Sequence, residues 1–169
     1  KHKIIVSNSI NDVLKSDGII LPGVGSFQNC KENICKYKGL VDALLENIFI
    51  QSKPFLGICV GMQLLANYGL ENGKHHGFGW IDGKVKPLEN EIKYTNNNLK
   101  IPHMGWNNLN IVIKDNIFKN INNNDQFYFV HSYFFDADDK ENIIATTNYG
   151  KNIPSIIKRK NIYGLQFHP

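Results

Sequence analysis

Cysteine is scarce in this 169-residue chain. The three present (Cys30, Cys35 and Cys59) are an odd number and contain no Cys-x-x-Cys. That argues against a disulfide framework and a thiolate metal site, and it fits a reducing, cytoplasmic setting. An excess of one charge is also lacking: 19 Lys and Arg against 15 Asp and Glu leave +4. Lys158-Arg159-Lys160 is the only tight basic cluster, and no basic run is interleaved with aromatics, so nucleic acid is not an expected partner. No apolar stretch approaches the ~18 residues of a membrane helix, and Lys1-His2-Lys3 does not open a signal peptide. The six histidines are not spaced as ligand pairs on one helix, so no metal and no cofactor are expected.

What is present describes an ordinary globular protein, 42% apolar and 20% charged. One domain over residues 1–169 is expected. The chain starts without Met and stops at His168-Pro169, which reads as trimming at both ends. Asn96-Asn97-Asn98 and Asn122-Asn123-Asn124 read as solvated loops. The first half alternates strand and helix patterns: strands at Lys3–Val6, Gly18–Leu21 and Pro54–Val60, an amphipathic helix over Leu40–Phe49, and a helix at Met62–Ala66. The second half is β-rich, with runs at Lys84–Leu88, Leu109–Lys114, Gln126–Phe135, Ile143–Tyr149, Ile156–Lys158 and Ile162–Phe167. The expected class is α/β, a mostly parallel central sheet with antiparallel additions.

The sharpest local feature is Gly57-Ile58-Cys59-Val60-Gly61. An apolar strand enters it and a helix leaves it. Small residues two before and two after a nucleophile allow a tight strand-to-helix turn that lifts the side chain above the sheet edge. A helix N-terminus there would favour the Cys59 thiolate, and the N–H of Val60 would meet a developing oxyanion. The same pentapeptide is also compatible with a buried core cysteine between packing glycines. A nucleophilic thiol needs a base. His168 ends the apolar strand Tyr163–Phe167, at the kind of strand end where open α/β sheets place their sites. His131 ranks second, and His75 and His76 are expected to be solvated in a Gly-rich loop. A second Gly-rich element, residues 21–27, could bring backbone N–H groups to a ligand, but it lacks the Lys of a phosphate loop.

Together, Pro22–Phe27, Gly57–Leu65 and Gly164–Pro169, in this order, resemble the class I, triad-type glutamine amidotransferases, whose fold is a flavodoxin-like three-layer α/β sandwich. Gly79–Val85, Pro102-His103-Met104-Gly105-Trp106-Asn107 and Phe129–Tyr133 resemble the glutaminase subunits of imidazole glycerol phosphate synthase. The resemblance implies hydrolysis of glutamine to glutamate and ammonia, which passes to a (β/α)₈-barrel cyclase in histidine biosynthesis. It implies Cys59 as nucleophile and His168 as base, with oxyanion donors from Val60 and from Val24 and Gly25 of the Gly-rich loop. It further implies that Gln63 and the His131-Ser132-Tyr133 backbone hold the glutamine, and that Trp106, Tyr128, Pro102 and Met104 face the cyclase. The family's orienting Glu, two residues after the histidine, would fall beyond Pro169. Two alternatives stay open: a paralogous glutaminase serving a sugar amidotransferase in surface-polysaccharide synthesis, and a non-catalytic interaction subunit.

Overall fold

The computed structural model describes residues 2–93 and 99–169, so the Asn96–Asn98 expectation lies outside the described residues. Among the described residues, twelve strands form three sheets. The largest runs β1 (Ile19–Gly23), β2 (Phe55–Cys59), β12 (Ile162–Leu165), β11 (Asn152–Arg159), β10 (Ile143–Asn148) and β7 (Asn110–Ile111), in that spatial order. β2 pairs in parallel with both β1 and β12, and the β12–β11, β11–β10 and β10–β7 pairs are antiparallel. A second sheet orders β4 (His75–His76), β3 (Tyr68–Gly69), β5 (Gly83–Pro87) and β9 (Tyr133–Ala137). A two-stranded ribbon pairs β6 (His103–Asn108) with β8 (Gln126–His131).

The central strands of the large sheet, β2, β12, β11 and β10, are largely apolar on both faces because both faces are covered. Neighbouring residues go to different cores. Ile157 and Ile162 join Met62, Leu65, Trp80 and Phe135 on one side. Ile156, Leu165 and Phe167 join Leu109, Phe129 and Ile144 on the other.

The helices are α1 (Ile10–Lys15), α2 (Phe27–Cys35), α3 (Leu40–Leu45), α4 (Val60–Gln63) and α5 (Glu89–Ile92). α2 starts at Ser26, whose side chain accepts from the N–H of Asn29, while Glu71 accepts from the N–H of Phe27 at 2.7 Å. The expected helix over Leu40–Phe49 continues from α3 into a π-helical turn, Glu46–Ile50. The expected strand at Lys3–Val6 does not form; its apolar side chains are exposed and it pairs with no strand among the described residues. Gln126–Phe135 divides at Ser132 into two strands that belong to different sheets. Among the described residues no helix is long and apolar enough to cross a membrane.

Candidate active site

The Cys59 backbone turns through φ 54° and ψ −112° between β2 and α4, a conformation that costs about 1–3 kcal/mol for a non-glycine residue. Close packing holds it there. A Cβ on Gly57 would lie 2.4 Å from the carbonyl oxygen of Gly61, and one on Gly61 would lie 2.0 Å from that of Leu21. Only glycine fits either position, which is why the pentapeptide is legible in sequence.

The thiol is 6% exposed. Burial pushes its pKa up, the N–H of Val60 facing the sulfur lowers it, and Cys30 raises it further. The net direction is upward. This corrects the expectation of a helix-stabilised thiolate: α4 has only four residues, and desolvation of the charged form outweighs its donors. The upward shift favours the thiol form of Cys59.

His168 lies just beyond the end of β12, the strand that pairs with β2. In the parallel β2–β12 pair, Leu165 stands opposite Ile58, so the chain beyond Leu165 passes alongside Cys59. The N–H of His168 donates to the carbonyl of Tyr128 at 2.9 Å, and its half-buried ring keeps a buried Nε2 with no hydrogen-bond partner among the described residues. The second candidate, His131, has both ring nitrogens committed, to His103 at 3.0 Å and to the carbonyl of Tyr133 at 2.9 Å. Burial, with a smaller contribution from His103, lowers its pKa to about 4. Such a ring is a poor base at neutral pH. His75 and His76 form β4 rather than a solvated loop, and the Nε2 of His75 is buried. The segment pairs with Tyr68–Gly69, which half-buries His75 and leaves His76 exposed to solvent as expected.

The loop after β1 carries Val24 and Gly25 beside the elbow. Val24 is 79% exposed, its carbonyl accepts from the Cys30 thiol at 3.5 Å, and Gly25 takes φ 114°. A cleft of ≈ 280 Å³ opens on the α2 side of this loop, lined by Pro22, Gly23, Val24, Cys30 and Asn33.

Gln63 is buried. Its Nε2 donates to the carbonyl of Tyr133 and to Oε1 of Gln166, each at 3.1 Å. The carbonyl of Ser132 accepts from the N–H of Leu88. Sequence reasoning missed Gln166, which is fully buried and donates from Nε2 towards the Cys59 sulfur at 3.8 Å. Its signal was a lone amide inside the apolar run Ile162–Phe167.

Met104 and Trp106 project from one face of β6, 60% and 70% exposed, while His103 turns inward. The Trp106 ring meets that of Tyr128 edge-on at 5.9 Å, and Pro102, half-buried, precedes the strand. Among the described residues no group of three or more His, Cys, Asp or Glu could hold a metal ion.

The model of the family "Glutamine amidotransferase class-I" matches residues 2–169. The chain is 46% identical to the imidazole glycerol phosphate synthase subunit HisH of Pelagibacter ubique, covering 100% of this chain and 79% of that one. It is 43% identical to the same subunit of Rhodospirillum rubrum, covering 99% and 77%. A crystal structure of a glutamine amidotransferase, 15% identical, superposes with a TM-score of 0.69 over 96% of this chain and 76% of its own, a likeness of fold. The chain belongs to the class I glutamine amidotransferase family, in the group of imidazole glycerol phosphate synthase subunits HisH.

Proposed function

We propose that this protein is a cytoplasmic glutaminase that hydrolyses glutamine to glutamate and ammonia and passes the ammonia to a (β/α)₈-barrel cyclase making imidazole glycerol phosphate. The observation that carries the reading is Cys59: a buried thiol on a strained strand-to-helix turn, with the N–H of Val60 at its sulfur.

His168 takes the proton from Sγ through Nε2, and the sulfur attacks the γ-carboxamide carbon of glutamine. The oxyanion is met by the N–H of Val60 and by an N–H of the Val24-Gly25 loop. His168 returns the proton to the nitrogen, the C–N bond breaks, and ammonia leaves a γ-glutamyl thioester. His168 then deprotonates a water that attacks the thioester carbon. The C–S bond breaks, glutamate departs and the thiol is restored. The His131–Tyr133 backbone and Gln63 form the wall that receives the substrate's α-amino and carboxylate groups. Met104, Trp106 and Tyr128, with Pro102 beside them, form the surface that docks the cyclase.

Replacing Cys59 by Ala in the full-length protein, assembled with its cyclase, tests this. Glutamine-dependent product formation is expected to vanish while formation from free ammonium salts persists. Glutamine-dependent turnover by Cys59→Ala would refute the nucleophile.

A further inference from the structure

The two buried histidines that take no part in the chemistry lie in an unbroken line of hydrogen bonds. Asn107 sits at one end. Its Oδ1 accepts from the N–H of Asn108 at 2.8 Å and its Nδ2 donates to the carbonyl of Asn148 at 2.9 Å, which fixes how the amide is turned. The same Nδ2 lies 3.1 Å from Nε2 of His103. An amide nitrogen only donates, so Nε2 of His103 accepts and its proton sits on Nδ1. That Nδ1–H points at Nε2 of His131, 3.0 Å away, so His131 also carries its proton on Nδ1 and donates it to the carbonyl of Tyr133.

The Tyr133 carbonyl is also the acceptor for Gln63, whose amide nitrogen reaches on to Oε1 of Gln166. With its oxygen so engaged, Gln166 can present only N–H to the Cys59 sulfur. Two donor lines thus converge on one carbonyl oxygen, His131 from one side and Gln63 from the other. His103 is further clamped between the rings of Tyr149 and Phe129, at 4.0 and 4.7 Å.

We propose that Asn107, His103 and His131 on one side and Gln63 and Gln166 on the other form one hydrogen-bond network, joined at the Tyr133 carbonyl, that positions the Cys59 sulfur and ties it to β6, the strand that carries Met104 and Trp106. The proposal rests on Cys59 being the nucleophile. These are positioning residues that act through one another, and only Gln166 reaches the sulfur. An N–H aimed at sulfur favours the thiolate over the thiol, so the network's effect is read as thiol reactivity.

The test uses alkylation of Cys59 by iodoacetamide in the full-length protein, followed peptide by peptide by mass spectrometry, with the exposed Cys35 as internal standard. This readout needs no glutamine turnover, so it fails independently of the glutaminase reading. Gln166→Met removes the terminal donor. Asn107→Asp changes the far end without changing its shape, offering acceptors where the network needs a donor. Both are expected to slow Cys59 alkylation at pH 7 at least five-fold relative to Cys35. Should Gln166→Met fail to fold, Asn107→Asp decides alone. Cys59 reactivity within two-fold of wild type in folded Asn107→Asp would overturn the network, whatever Gln166→Met does.

Discussion

The N–H of His168 donates to the carbonyl of Tyr128 at 2.9 Å, and the ring of Tyr128 meets that of Trp106 edge-on. The proposed base is thus fixed to the strand whose neighbour bears the exposed Trp106. Docking at the Met104–Trp106 face, as proposed, would bear directly on the backbone that holds His168.

Trp106→Ala should separate docking from folding. The ring is 70% exposed, so its loss should change stability by only about 0.5 kcal/mol. A central interface tryptophan is worth about 2 kcal/mol or more, so affinity for the cyclase should fall at least ~30-fold. Titration calorimetry on the full-length pair checks this; unchanged affinity removes the interface role.

The elbow makes a stability prediction. A Cβ on Gly61 would sit 2.0 Å from the Leu21 carbonyl, so Gly61→Ala must separate α4 from β1. A cost of about 3 kcal/mol or more is expected, lowering Tm by about 6–12 °C. A thermal melt within 2 °C of wild type would show that the turn is not packed as described.

Both buried histidines make stability depend on pH. Burial lowers His103 and His131 from 6.5 to about 4. Between those values the unfolded chain binds protons that the native state refuses, so stability falls as pH drops from about 6.5 towards 4. The two rings share a hydrogen bond and act on this slope as a pair. Urea unfolding from pH 7 to 4.5 checks the slope. In His103→Phe, which keeps an aromatic ring between Tyr149 and Phe129, the slope should be shallower.

The Cys30 thiol holds the Val24 carbonyl at 3.5 Å and so fixes the loop proposed to supply the second oxyanion donor. Cys30→Ala is expected to free that peptide and raise ammonia release by the isolated protein several-fold. An unchanged basal rate would mean that the contact does not restrain the loop.

Much of this site could be read in the sequence because its constraints are local. Gly57 and Gly61 are demanded by backbone approaching backbone, and His168 by its place at the end of an apolar run. Other parts are set by tertiary pairing. His103 and His131 are legible as residues, but their union depends on the β6–β8 register, which sets them opposite one another. α2 carries a largely polar sequence that hides its period, with Phe27 its one fully buried residue. Lys3–Val6 has a strand's composition but pairs with no strand among the described residues. Gln166 shows why a polar residue inside an apolar run warrants a search for its partner.

Ammonia release from glutamine by the full-length protein, alone and then with the barrel cyclase and that enzyme's nucleotide ligand, tests the central claim most directly. The expected result is a low rate alone that rises strongly in the ligand-bound complex and disappears in Cys59→Ala. No ammonia under either condition would contradict the glutaminase reading and leave the chain as a non-catalytic docking subunit.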